Sequence, residues 1–253
     1  MEDELKNEFY ELKKEILYVE SMLECVIDND SRIEKYHCPI CGSDIPSFRP
    51  FGIKLRKNAQ CPKCGSLERH RAFYVFLKKY TNIFYKNNKL LHFAPESTFY
   101  NLFKSMKNID YVTADIQPSS LIDEQMDIQD IPYPDNSIDV FYASHVLEHV
   151  EDDKKALKEI YRIIKPKNKG GYALIVVPII REKTIEDPKY NTPELRTKYY
   201  GQFDHMRAYG KDFKKRLEDV GFEVEEYITS EFIDPKDLKK WCILKDYIFL
   251  CKK

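Results

Sequence analysis

The chain predicts a doubly wound α/β domain built on a seven-stranded, mostly parallel sheet with an antiparallel edge strand, preceded by a long helix and a small cysteine-rich module. Three observations carry this expectation. From Lys89 onward, short apolar strands alternate with helical periods, the pattern of a sheet wound by crossover helices. Two copies of Cys-Pro-x-Cys-Gly stand at 38–42 and 61–65. Ahead of them, Leu5, Phe9, Leu12, Ile16, Val19, Leu23 and Val26 recur at alternating spacings of four and three. The expected divisions are 1–30, 31–82 and 83–253.

Taken in order, the first element is a helix over about 3–28. Its apolar seam repeats every seven residues for about three heptads, enough for a coiled coil. Two readings stay open: the seam joins two copies of the chain, or the helix lies along its own domain. Asn29-Asp30-Ser31 breaks it. Ser66 can cap a second helix that runs to about Tyr80. Strands are expected near 89–93, 110–114, 124–128, 138–143, 171–178, 222–228 and 243–251, and helices near 97–106, 152–164, 210–220 and 235–241. The last two strands lack a long crossover helix between them and suit an edge hairpin. The segment 179–209 is long, polar and weakly periodic, the profile of a substrate loop.

Within this frame, Ile138 to Pro178 reads as strand, polar loop, helix, glycine stop and strand. Such a unit implies a right-handed crossover, and parallel sheets bind ligands at the carboxyl ends of their strands. The loop from Ser144 to His149 falls at such an end.

Each Cys-Pro-x-Cys-Gly copy is a tight turn. Proline fixes φ, and the glycine permits a positive φ after the second sulfur. Cys38, Cys41, Cys61 and Cys64 together offer four soft ligands, which suits a tetrahedral zinc ribbon. Four thiolates leave no open coordination position, so the zinc is expected to be structural. Cys25, Cys242 and Cys251 are expected as core residues.

Net charge is −1, so the molecule as a whole is no polyanion binder. The charges are nonetheless segregated. Nine Lys/Arg face two acids between Cys38 and Tyr80, whereas Asn108 to Asp153 holds twelve acids and no Lys or Arg. The basic stretch could attract a phosphate-bearing partner such as RNA or a nucleotide sugar, or be a solvated flank. Met1-Glu2-Asp3-Glu4 opens no secretory leader, and the apolar run Ala173 to Ile180 is too short for a bilayer. A cytoplasmic protein with reduced cysteines and no membrane contact is expected.

Several motifs, in order, resemble the class I S-adenosylmethionine-dependent methyltransferases of the type 11-like group, with their Rossmann-like sheet. They are Val112-Thr113-Ala114-Asp115, the run Asp127 to Val140, Ser144-His145-Val146-Leu147-Glu148-His149-Val150, Ala156 to Pro166, and Gly170-Gly171 with its strand. The resemblance implies S-adenosylmethionine as cofactor. Asp115 would accept the ribose hydroxyls and Asp127 the adenine amino group, with Ile128 on the ring and Ile116, Ser144 and His145 in the same pocket. Where the family's first loop carries glycines, this chain has Ala94, Glu96 and Thr98. Ala94 can still pass a ligand closely, and Glu96 can take the cofactor's ammonium group.

Methyl transfer to an alcohol or amine asks for alignment and, where needed, a base near neutral pKa. His205 is the preferred base, with His145 and His149 as the other candidates. The expected function is methyl transfer to an O or N atom of a polar small molecule or saccharide-type substrate. Two alternatives stand beside it: an RNA methyltransferase gripping RNA with the basic ribbon, and a non-catalytic zinc and interaction protein on a degenerate methyltransferase fold. A homodimer through the N-terminal helix is the expected assembly.

Overall fold

The computed structural model describes residues 2–27, 36–52 and 55–253. The expected break at Asn29-Asp30-Ser31 lies outside the described residues, as do the side chains of Cys25 and Val26. The elements run α1 (Glu2–Ile27), β1 (Tyr36–His37), β2 (Asp44–Ile45), β3 (Arg49–Phe51), β4 (Arg56–Gln60), α2 (Glu68–Tyr80), β5 (Asn88–Phe93), α3 (Ser97–Lys104), β6 (Ile109–Asp115), β7 (Glu124–Gln125) and β8 (Val140–Ser144). There follow α4 (Asp153–Ile163), β9 (Tyr172–Val176), β10 (Ile179–Arg181), α5 (Pro193–Tyr200), β11 (Tyr209–Gly210), α6 (Phe213–Glu218), β12 (Glu223–Ile228), α7 (Thr229–Phe232), α8 (Pro235–Lys240) and β13 (Tyr247–Lys252). No described helix is long and apolar enough to cross a membrane.

The chain divides into two compact units, one of residues 1–81 with 229–245 and one of 82–228 with 246–253. This differs from the expected boundaries. Residues 229–245, expected inside the α/β domain, belong with the cysteine-bearing segment. Phe232 packs its ring on Phe76 and Tyr80 of α2, and Lys79 donates to its carbonyl at 2.6 Å. A further tie is Arg71, which is fully buried on α2. It donates from Nε to the Trp241 carbonyl at 2.6 Å and from Nη2 to the Cys242 carbonyl at 3.0 Å. Its Nη1 donates to the carbonyls of Ala59 and Ser66, and its guanidinium lies 3.9 Å from the Phe48 ring centroid. A planar fork with five N–H groups can join four carbonyls from three chain segments, which no other side chain can. Cys242, expected in the core, is only half-buried, while Cys251 is buried in the sheet.

In the second unit the seven strands take the order β12-β13-β9-β8-β5-β6-β7. Pairings β5–β6, β5–β8, β6–β7 and β8–β9 are parallel, whereas β13 runs antiparallel to both β12 and β9. The expected edge hairpin is present. Its reversed strand sits one position in from the edge, with β12 outermost. All five residues of β8 and all five of β9 are buried, as central strands covered on both faces must be. Helix α4 starts where the Asp152 side chain accepts from the Lys155 amide at 3.0 Å. It turns Ala156, Leu157, Ile160 and Ile163 into the core, and it stops short of Lys165-Pro166. Gly171 then passes so close to the Lys165 carbonyl that a Cβ would lie 2.0 Å from its oxygen.

The expected substrate loop carries structure of its own. Strands β10 and β11 pair in parallel, and α5 lies between them. The third parallel strand is shorter than expected, because Asp127 leaves the ladder to form a bridge with Asp130.

In the first unit, α1 shows two unlike faces. Tyr10 Oη donates to the Gly52 carbonyl at 3.2 Å, and Arg49 lies 5.2 Å from the Tyr18 ring centroid. The heptad seam faces away: Leu5, Phe9, Leu12, Ile16, Val19 and Leu23 are each at least 50% exposed.

Candidate functional site

The carboxyl ends of β5, β6 and β8 open into a pocket of about 320 Å³. Phe93 and Ala94 line it from the end of β5, Asp115 and Ile116 from β6, and Met126 to Gln129 from the segment after β7. His145, Val146, His149, Val150 and Glu151 close the remaining wall. Of the residues expected around the cofactor, Ala94, Asp115, Ile116, Asp127, Ile128 and His145 are thus brought together. Glu96, at the start of α3, and Ser144, buried as the last residue of β8, are not among the lining residues.

Two neighbouring positions in this pocket, at the ends of the paired strands β5 and β8, are strained. Ala94 has φ +48° and His145 has φ +56°, each on the first residue past its strand. Both conformations are fixed by the backbone: the Ala94 amide donates to the Ala114 carbonyl at 2.8 Å and the His145 amide to the Val176 carbonyl at 2.9 Å. A left-handed residue with a Cβ costs about 1 kcal/mol or more, and such strain gathers where geometry serves a ligand. Ala94 therefore keeps the backbone turn that glycine would have made without strain.

The two pocket acids are held by short local bonds. Asp115 Oδ1 accepts from the Gln117 amide at 3.0 Å. Asp127 accepts from the Gln129 amide at 2.8 Å and from its side-chain Nε2. Gln129 Oε1 in turn accepts from the Asp152 amide at 3.0 Å, so Asp127 is braced against the start of α4.

Two wall residues, His145 and His149, belong to a histidine cluster that His205 joins from outside the lining. His145 Nδ1 sits 3.1 Å from Oε1 of Glu148, which is 1% exposed. His149 Nδ1 is 3.2 Å from Asp204 Oδ2. His205 Nδ1 donates to the Tyr200 carbonyl at 3.1 Å, and its ring stands edge-on to that of His149 with centroids 4.7 Å apart. Burial pushes the His205 pKa below its usual value. His205 therefore lies beside His149 at the pocket mouth rather than in the pocket wall.

Arg207 joins the two loops that form this cluster. It is 1% exposed, and it donates to the carbonyls of Leu147 at 2.8 Å, Val150 at 2.5 Å and Glu151 at 2.7 Å. Its Nε donates to Glu186 at 3.0 Å. The Met206 amide adds a bond to the Glu148 carbonyl at 2.7 Å. Buried Asp153 accepts from Tyr209 Oη at 2.6 Å and from Arg216, which also reaches Glu186. Sequence reasoning missed Arg207 and Glu148 as individuals. Arg207 sits in a polar loop where an arginine reads as solvated, and Glu148 reads as one acid among twelve. The available signal was adjacency to the two histidines they position.

In the first unit, the four expected cysteines come together. Their sulfurs all lie within 4.8 Å of one another, with Cys38–Cys64 at 3.6 Å and Cys41–Cys61 at 3.9 Å. A tetrahedral ion with metal–sulfur bonds of about 2.3 Å sets sulfur–sulfur edges of about 3.8 Å, so the donor set fits zinc. The two turns repeat one geometry. The Gly42 amide donates to the Cys38 carbonyl and the Gly65 amide to the Cys61 carbonyl, with φ +69° and +72°. Ser66 does not cap α2 as expected. Its hydroxyl lies against Cys38 and Cys64 sulfurs at 3.3 and 3.1 Å, and the helix begins one residue later.

Comparison with known proteins follows this geometry. Residues 89–175 match a family model described as a methyltransferase domain. The chain is 29% identical over 135 residues to the ubiquinone/menaquinone biosynthesis C-methyltransferase UbiE of Pseudoalteromonas translucida, covering 47% of this chain and 48% of that one. It is 28% identical over 95 residues to the uncharacterized protein MJ1123 of Methanocaldococcus jannaschii, covering 38% and 43%. The chain spans about half the length of the curated relatives it matches. Solved structures with a similar chain path include the YcgJ protein of Bacillus subtilis, with 12% identity, TM-score 0.49 and coverage of 73% and 99%. A SAM-dependent methyltransferase from Archaeoglobus fulgidus has 18% identity, TM-score 0.48 and coverage of 76% and 96%.

Proposed function

Residues 89–175 form a methyltransferase domain of the class I S-adenosylmethionine-dependent family, and from that premise we propose that the chain methylates an oxygen or nitrogen of a polar small molecule or saccharide-type substrate. The observation that carries this reading is the pocket at the ends of β5, β6 and β8, with Asp115 and Asp127 on one side and the histidine loop on the other. The fit to S-adenosylmethionine rests on the chemistry of these residues. Asp115 offers a carboxylate to two vicinal hydroxyls, and Ile116 and Ile128 offer apolar faces to an adenine. The acids Asp115, Asp127 and Glu151 favour a cationic ligand. When bound, the cofactor supplies an activated methyl group on a sulfonium.

The chain's own contribution is then alignment, and His149 and His205 stand where an acceptor would approach. With Nδ1 of His205 donating to Tyr200, its Nε2 carries the lone pair. Burial keeps that imidazole neutral, the form that can take a proton or hold a polar acceptor. The RNA reading is weakened by the fate of two basic residues in the ribbon. Arg71 is spent on backbone carbonyls, and Arg56 pairs with Glu68 at 2.9 Å.

Calorimetric titration with S-adenosylmethionine tests the reading. Wild type is expected to bind, and Asp115→Ala to bind about 30-fold more weakly or worse, the loss of charge-assisted bonds worth about 2–3 kcal/mol. Absence of binding would leave only the non-catalytic alternative, and equal binding by the variant would remove Asp115 from the cofactor site. Transfer of labelled methyl groups to candidate glycans, amines and RNA then reads the acceptor atom.

The ribbon is read as a structural zinc site and the chain as cytoplasmic, where thiols stay reduced. The outward seam of α1 is read as a two-stranded coiled coil with a second copy. Its period of three and a half residues is matched by another helix of the same period. Light scattering is expected to give a dimer for the wild type and a monomer for Leu12→Glu with Ile16→Glu. A monomeric wild type would overturn the assembly.

A further inference from the structure

We propose that Glu148, His149 and His205 form a binding site for a divalent first-row transition-metal cation at the mouth of the pocket, distinct from the four-cysteine cluster. One ligand atom from each of the three lies within 4.8 Å of the others. Spacing alone would not carry the inference, because side chains of this kind often meet through ordinary hydrogen bonds. Two further observations do.

The first is the carboxylate. Glu148 is 1% exposed, and its Oε1 is taken by His145 Nδ1 at 3.1 Å. Its Oε2 is buried with no hydrogen-bond partner. A buried carboxylate oxygen left unmatched forfeits its solvation unless a cation or a donor meets it.

The second is the orientation of the histidines. His205 Nδ1 is committed to the Tyr200 carbonyl at 3.1 Å, and His149 Nδ1 faces Asp204 Oδ2 at 3.2 Å. The Tyr200 carbonyl selects on His205 the tautomer with the proton on Nδ1 and the lone pair on Nε2, and Asp204 stands at ion-pair distance behind His149 Nδ1. One histidine held by a carboxylate and another by a backbone carbonyl are the usual outer partners of metal-ligating imidazoles. With His205 Nδ1 committed and Glu148 Oε1 taken, the atoms these two residues have left for a ligand, Nε2 and Oε2, are both acceptors, which a cation satisfies.

The support behind the ligands is rigid. Arg207 pins the carbonyls of Leu147, Val150 and Glu151, and the Met206 amide pins that of Glu148. The loop bearing Glu148 and His149 is thereby fixed against the one bearing His205. His149 is exposed and Glu148 buried, so the three ligands approach from the protein side and leave the solvent side open. Two imidazoles and one carboxylate with open positions suit Mn²⁺, Fe²⁺, Co²⁺ or Zn²⁺. A cation there would hold a polar acceptor oxygen and ease loss of its proton to water. In that case His205 acts as a ligand and not as the base.

This inference rests on the methyltransferase reading for its role but not for its existence, and the test separates the two. The zinc-loaded full chain is titrated with Mn²⁺ and followed by the loss of the free-ion electron paramagnetic resonance signal. Mn²⁺ is a poor match for four thiolates, so the cysteine cluster does not compete. One Mn²⁺ per chain is expected. Glu148→Gln and His205→Ala are each expected to weaken it by roughly tenfold or more, and Asp204→Asn to weaken it less. The exposed His149→Ala is the variant least able to disturb folding, and it should show the same loss. S-adenosylmethionine affinity is measured on the same samples. Loss of Mn²⁺ by the variants supports the site whether or not cofactor affinity falls with it, since His149 also lines the cofactor pocket. No stoichiometric Mn²⁺ uptake by wild type, or uptake unchanged in His149→Ala with His205→Ala, overturns it whatever the cofactor result. Wild type that takes up Mn²⁺ but no S-adenosylmethionine upholds the cation site and removes the methyltransferase reading.

Discussion

Replacing Arg207 with methionine is expected to cost about 3–5 kcal/mol of stability, the scale of removing one partner from a buried charged network. The guanidinium is 1% exposed and satisfies the carbonyls of Leu147, Val150 and Glu151 while pairing with Glu186. Methionine fills similar volume but takes the Arg207 donors from the Val150 and Glu151 carbonyls, while that of Leu147 keeps Tyr209 Oη and the Val150 amide. Asp153 is spared, since Tyr209 and Arg216 still reach it. The damage should therefore centre on the loop that walls the pocket, and S-adenosylmethionine binding should fall with stability. Arg207→Lys should rescue little, because one ammonium cannot span three carbonyls and a carboxylate. Urea unfolding with parallel cofactor titration measures both effects. A midpoint within about 0.5 kcal/mol of wild type would mean that water replaces the clamp.

Removing metal from the four-cysteine cluster is expected to unfold the first unit and leave the second folded. Structural zinc contributes on the order of 10–16 kcal/mol to such modules. The apolar core around the cluster is small, chiefly Ile45 and Phe48 with the cysteines themselves. A core of that size cannot offset chain entropy unaided. After chelation, hydrogen exchange should accelerate together across 36–80 and 229–245, because Arg71 ties these segments through the carbonyls of Ala59, Ser66, Trp241 and Cys242. The amides of β8 and β9 should keep their protection. Retained protection in α2 after complete metal loss would show that the helix stands on its own packing.

Much of this was legible in the chain, and the limits have physical causes. The parallel strands could be read because burial on both faces forces continuous apolar runs such as Tyr172 to Val176. The cysteine cluster could be read because ligand spacing and turn chemistry are local. Asp115 and Asp127 could be placed at the pocket because one ends a strand and the other follows one closely. Residues 229–245 could not be assigned to their unit, since Arg71 and Lys79, far away in sequence, hold them through backbone carbonyls, which carry no residue identity, and Phe232 packs on Phe76 and Tyr80 across the same distance. Arg207 escaped for the same reason. The left-handed turn at Ala94 was hidden because its side chain argues against the conformation that the backbone adopts.

The path of the chain between its two units has a consequence for how they could be taken apart. It passes from one to the other at 81–82, again at 228–229, and back at 245–246. No single cut frees the cysteine-bearing unit, and a fragment starting at Asn82 would still carry seventeen residues whose packing partners were gone. Yet Ile228 is paired directly with Tyr247, so the points where the excursion leaves and returns are neighbours across one hairpin. The excursion is a graft on a hairpin tip, where a two-residue turn could have stood. Separating the units takes two edits made together, one at residue 81 and one that closes that tip.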